Sequence, residues 1–163
     1  MKINIICIGS IKEKFYTDAI NEYLKRLSKF VKVNVIELKE EKLRDDSKAE
    51  EERVKTCETE KLIEAINKTK DSYNILLDVI GKQVDSVELS KMIEDKKNSS
   101  LDHIEDLNFI IGGSLGYQDE LRNRCEYKLS FSKMTFPHQL MRVILLEQIY
   151  RAYKIMNNEA YHK

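Results

Sequence analysis

The chain has 163 residues, 42% of them apolar and 34% charged, which excludes a disordered protein and suffices to bury a core without disulfides or a metal. Basic and acidic residues number 28 each, so the charge balance offers no global argument for a polyanionic partner.

The chain opens with "INIICIG" (3–9), a continuous β-branched run closed by Gly9, which predicts a strand buried on both faces. Residues 13–30 carry Phe15, Ile20, Leu24 and Leu27 at near-helical spacing, an amphipathic helix. Residues 31–38 alternate as a second strand. Residues 47–70 open with a capping box of Ser47 and Glu50 and carry Glu51–Lys55 and Glu64–Lys68 pairs four apart, which predicts a long, mostly exposed helix. "YNILLDVIG" (73–81) is a third strand, 85–98 a helix capped by Asp85 and Glu88, and 106–116 a fourth strand running into glycines. A short helix (117–125), a fifth strand (127–132) and a last helix (137–156) follow. Regular strand–helix alternation predicts an α/β fold, a parallel β-sheet flanked by helices, as one domain over 1–163.

Cys7, Cys57 and Cys125 are odd in number and far apart, which argues against a disulfide framework or zinc site and for a reducing cytoplasm. No metal is expected. No apolar run approaches the ~20 residues of a membrane helix, so no membrane partner is expected. Met1 leads straight into a strand-like segment, without a basic-then-apolar leader. Charge is nonetheless uneven: 40–60 is acidic and 121–163 basic, a pointer to an anionic ligand or RNA.

Gly9, Gly81, Gly112, Gly113 and Gly116 each follow the end of a predicted strand, the edge where open α/β sheets bind ligands. "GGSLG" before a helix offers backbone N–H groups to a ligand's polar edge. It is neither a dinucleotide fingerprint nor a P-loop. It does spell G-x-S-x-G, so a serine hydrolase with Ser114 as nucleophile, Asp119 as acid and His138 or His162 as base is a rival reading, weakened because Asp119 follows by only five residues.

"SFSKMTFPHQLMRV" joins the last strand to the last helix. Ser130, Ser132, Lys133 and Thr135 alternate with Phe131, Met134 and Phe136, a lining both apolar and hydrogen-bonding, and Pro137 fits the helix's first turn. His138, Arg142, Leu145 and Ile149 share one face, so Arg142 projects from an apolar stripe toward either an anion or an ion pair within the fold. That helix is apolar over more girth than one core absorbs, which suggests a dimer. The terminal Tyr161, His162 and Lys163 suit stacking on a base and holding a phosphate, although terminal residues are more often idle.

With these residues in view, the junction, the terminal "EAYHK", "IIGGSLG" and the opening "MKINIICIGSIKEKFY" together resemble the RlmH family, small stand-alone SPOUT-type methyltransferases. The likeness covers the whole chain and is weakest over 40–72. It implies methyl transfer from S-adenosyl-L-methionine to ring N3 of a pseudouridine in 23S rRNA on the assembled 70S ribosome. It also implies a cytoplasmic homodimer and a C-terminal trefoil knot. By resemblance, cofactor contacts fall on Leu77, Gly112 and Phe131, Ser132, Lys133, Met134, Thr135 and Phe136. The catalytic candidates are His138, Arg142, Tyr161 and His162. A non-catalytic ribosome-binding factor of the same fold is a further alternative.

Overall fold

The computed structural model describes residues 1–163. Ten elements alternate: β1 (Lys2–Ile8), α1 (Lys14–Leu27), β2 (Val33–Leu38), α2 (Lys48–Asn67), β3 (Ser72–Gln83), α3 (Ser86–Asn98), β4 (Asp106–Ile111), α4 (Asp119–Arg124), β5 (Tyr127–Ser130) and α5 (His138–Met156). The strands form one parallel sheet in the order β2-β1-β4-β3-β5.

Alternation along the strands divides the core in two. Ile3, Ile5, Cys7, Ile75, Leu107, Phe109 and Ile111 face α1, α3 and α5, which contribute Leu27, Ile93, Leu145 and Ile149. Ile6, Ile8, Leu76 and Ile110 face α2 and α4, which contribute Leu62, Ile66 and Leu121. Both faces are covered, as a parallel sheet requires. Each fully buried Leu or Ile contributes about 1.5–3 kcal/mol relative to exposure.

One polar row crosses this core. Asn34, Asn4, Asn108 and Asn74 occupy matching positions on four adjacent strands. Asn34 donates to Asn4 at 2.8 Å, Asn4 to Asn108 at 2.8 Å, and Asn108 to Asn74 at 2.8 Å. The direction is fixed because Asn4 Nδ2 also meets the Asp106 carboxylate, which only accepts (3.2 Å). Buried amides are costly unless paired, so a one-residue slip of any strand breaks the row and the register is pinned.

The expected pairs and caps hold in part. Ser47 accepts the Glu50 N–H at 3.2 Å, but Glu50's carboxylate turns away to Arg53 and the Arg44 amide, so this is half a capping box. Asp85 and Glu88 form a complete one. Lys68 pairs with Glu64, whereas Lys55 takes Glu52 in place of Glu51. α2 is less exposed than expected: Val54, Leu62 and Ile66 bury it against the sheet. β4 stops at Ile111, because the glycines leave the ladder and bend into a turn bridged between Gly113 and Gly116. Gly81 is not a strand exit. β3 runs on to Gln83 and pairs with β5 on both sides of an irregularity, so that Leu77 and Lys82 both register with Leu129. There a Cβ on Gly81 would lie 2.6 Å from the Lys128 carbonyl oxygen, which only glycine avoids.

Candidate active site

Three chain segments converge at the carboxyl edge of the sheet. β3 delivers Leu77, the glycine turn after β4 delivers Gly112, and the junction after β5 delivers Phe131, Ser132, Met134, Thr135 and Phe136. They line one cleft of about 380 Å³, whose walls also include Asp78, Ile111, Tyr117, His138 and Met141. That size, mostly apolar with a few polar groups, suits a nucleoside-sized ligand. Lys133, predicted with its neighbours, is exposed and does not line the cleft.

The junction holds its shape through its own hydroxyls. Ser130 Oγ shares its one proton between the Val79 and Ser132 carbonyls, at 2.9 and 3.1 Å, and Ser132 Oγ accepts the Met134 N–H at 3.0 Å. Neither Ser132 nor Thr135 caps α5, whose N-cap is Pro137 itself, just outside the first turn expected for it. The hydroxyls therefore fold the loop and leave the Thr135 side chain exposed at the cleft.

In the cleft wall itself, at Asp78 and Tyr117, sits a brace that the sequence reading missed. Asp78 is buried and ion-paired with Arg122, and its Oδ1 accepts the Ile80 N–H at 3.1 Å. Burial, with Asp78 close by, pushes the Tyr117 phenol well above its usual range. The Tyr117 ring packs against Gly112, where a Cβ would come within 2.7 Å of its Cδ1. Asp78 was the available signal, a lone acid within the apolar run "YNILLDVIG".

The four catalytic candidates are not brought together within one chain. His138 borders the cleft. Burial, reinforced by the nearby Arg142, lowers its imidazole pKa below the usual value, so it is neutral at physiological pH. Arg142 points elsewhere. It is 1% exposed, donates to Glu37 at 2.7 Å and to the Ile8 and Gly9 carbonyls at 2.9 and 2.7 Å, and leaves only Nε without a partner. The expected anion gives way to the alternative reading, an ion pair within the fold. Tyr161 and His162 fold back along α5, with Tyr161 packed on the edge of the core. Tyr161 stacks edge-on to Tyr150 at 5.0 Å and donates to Glu147 at 3.2 Å, and His162 Nδ1 lies 3.3 Å from Arg151.

The hydrolase reading fails on geometry. Ser114 lies in the Gly113–Gly116 turn, and the following helix begins only at Asp119, with Gln118 as its N-cap, so no strand passes directly into a helix at this serine. A nucleophile elbow requires a strand passing directly into a helix and a base within reach.

No helix is long and apolar enough to cross a membrane. A family model described as a predicted SPOUT methyltransferase matches residues 1–162. Ribosomal RNA large subunit methyltransferase H of Clostridium novyi is 50% identical over 164 residues, that of Fusobacterium nucleatum 49% over 163, and that of Clostridium acetobutylicum 48% over 167. Each alignment covers all of both chains.

Proposed function

Because the chain belongs to the SPOUT methyltransferase family, alongside the ribosomal RNA large subunit methyltransferases H, we propose that it methylates ring N3 of a pseudouridine in 23S rRNA on the assembled 70S ribosome, with S-adenosyl-L-methionine as donor. It is a methyltransferase; the donor, the acceptor atom and the ribosomal context are the proposal. The observation that carries it is the cleft shared by Leu77, Gly112 and the 131–136 junction. Its apolar walls fit a purine nucleoside, and the bent backbone of the glycine turn offers it polar groups.

When bound, the donor supplies an electrophilic methyl group on a sulfonium. The work left to the protein is alignment, worth about 7–11 kcal/mol when donor and acceptor are held in reacting geometry. Leu77, Phe131 and Phe136 exclude water and fix the donor's plane. The acceptor nitrogen must lose a proton, and His138, neutral at the cleft wall, has a free lone pair to take it. The tail, Tyr161 to Lys163, acts in the cleft of a second subunit. Arg142 serves this site as a positioning residue that holds α5 to the end of β1.

The dimer reading is supported by large apolar side chains left in solvent: Met134, which lines the cleft, is 72% exposed and Ile80 is 78% exposed. Burial of these side chains against a second copy would remove them from water. The whole chain acts as one cytoplasmic domain, consistent with three free cysteines, and its last helix passes through the C-terminal knot of its family.

The test is tritiated methyl transfer to 70S ribosomes from cells lacking the modification. The expected product is one N3-methylated pseudouridine in 23S rRNA, with isolated subunits poor substrates. Methylation of another nucleotide, or of no RNA at all, would refute the substrate.

A further inference from the structure

The cleft has an annex. A second recess of about 240 Å³ shares Gly113, Ser114, Leu115 and His138 with it. Its lining carries three carboxylates, Glu40, Glu41 and Glu58, and one cation, Lys42, which forms no ion pair with any of them. These three carboxylates are not alike. Glu41 is taken by Lys61 at 2.5 Å, and Glu40 lies 3.9 Å from Lys12. Glu58 has no ion-pair partner and is 3% exposed.

One Glu58 oxygen is satisfied and the other is not. Oε2 accepts the Glu41 N–H at 3.0 Å. Oε1 accepts no hydrogen bond and presses on Gly113, where a Cβ would come within 2.3 Å of it. Burial raises this carboxyl above its ordinary range, and the Glu41 N–H and the more distant Lys61 offset the lost hydration only in part. The other titratable group on the shared wall, His138, is neutral and supplies no charge. A nearly buried carboxylate oxygen without a donor, in a recess that shares Gly113, Ser114, Leu115 and His138 with the cleft, calls for a directly bound cation that carries N–H. A sulfonium has no N–H; a primary ammonium has three.

We propose that Glu58 receives the ammonium group at the amino-acid end of the methyl donor, with Glu40 at the mouth of the same annex. The assignment rests on the donor reading above and adds a binding residue to it. Glu58 would thereby connect α2 and the glycine turn to the orientation of the transferred group.

Glu58→Gln is isosteric and keeps an oxygen for the Glu41 N–H. Calorimetric titration of this variant should use two ligands: S-adenosylhomocysteine, which has the ammonium but no sulfonium, and 5′-methylthioadenosine, which lacks the amino-acid end. The affinity for S-adenosylhomocysteine should fall about tenfold, the scale of one charged hydrogen bond, while that for 5′-methylthioadenosine stays within about twofold. Glu40→Gln should give a smaller loss in the same direction. An equal fall for both ligands would mean that Glu58 only supports the fold, and no fall for either would mean that the annex is idle; each overturns the assignment. If the unmodified protein binds neither ligand, the donor reading fails and this assignment with it.

Discussion

Replacing Arg142 with alanine should lower the stability of the protein by about 3 kcal/mol, the lower end of the range for breaking a buried ion pair. The lower end applies because Glu37 is 41% exposed on its side chain and rehydrates when its partner is lost. The Ile8 and Gly9 carbonyls fare worse. Both lose their guanidinium donor at the end of β1, and a fully buried side chain leaves a cavity behind. For a chain of this length the loss corresponds to a fall in Tm of roughly 6–12 °C, measurable by calorimetry. Arg142→Met restores packing but no hydrogen bonds, so it should lie between alanine and the parent. Donor affinity should fall along with stability, because α5 carries His138 and Met141 into the cleft wall. An alanine variant that keeps its Tm and its donor affinity but no longer transfers methyl groups would return Arg142 to the chemistry.

Removing Tyr161 to Lys163 should cut methyl transfer to ribosomes by roughly 10²-fold or more, the scale of a lost proton-transfer or anion-stabilising group. Stability should change little. The edge-on contact of Tyr161 with Tyr150 and its bond to Glu147 are worth about 0.5–1.5 kcal/mol. Donor affinity should not change, because neither Tyr161 nor His162 lines the cleft of its own chain. Mixed dimers separate the two sites. A tail-less subunit paired with one whose cleft is blocked by Gly112→Val should regain transfer, since the blocked subunit still lends its tail. Full activity of the truncated protein would make the tail idle. Failure of the mixture to recover would keep tail and cleft within one chain.

These two residues sets mark the boundary of what the sequence expresses. Strand positions were legible because a sheet covered on both sides must spell continuous apolar runs such as "INIICIG" and "YNILLDVIG". Their order was not, since nothing local says that β1 and β4 are neighbours. The glycine turn and the hydroxyl-rich junction were legible as a binding edge because both use residue types that a plain connection does not need. The role of each hydroxyl was not. Capping and loop-folding require the same side chains, and Ser130 and Ser132 were taken by the loop.

Arg142 shows the limit most clearly. Its position on an apolar helical stripe implied a partner, yet Glu37 lies 105 residues earlier and the two carbonyls have no side-chain signature. The asparagine row is similar. Asn4, Asn34, Asn74 and Asn108 each look like an isolated polar residue in a strand, and only the pairing of four strands makes them one row. The Asp78–Arg122 brace joins β3 to α4 in the same non-local way.

The central claim is that the ends of β3, β4 and β5 hold a single methyl-donor molecule. A crystal structure with S-adenosylhomocysteine tests it most directly. The purine should lie between Leu77, Gly112 and Phe136, with the homocysteine end directed past Gly113 toward Glu58. Electron density for the ligand at any other surface, with this cleft empty at saturating ligand, would contradict the account.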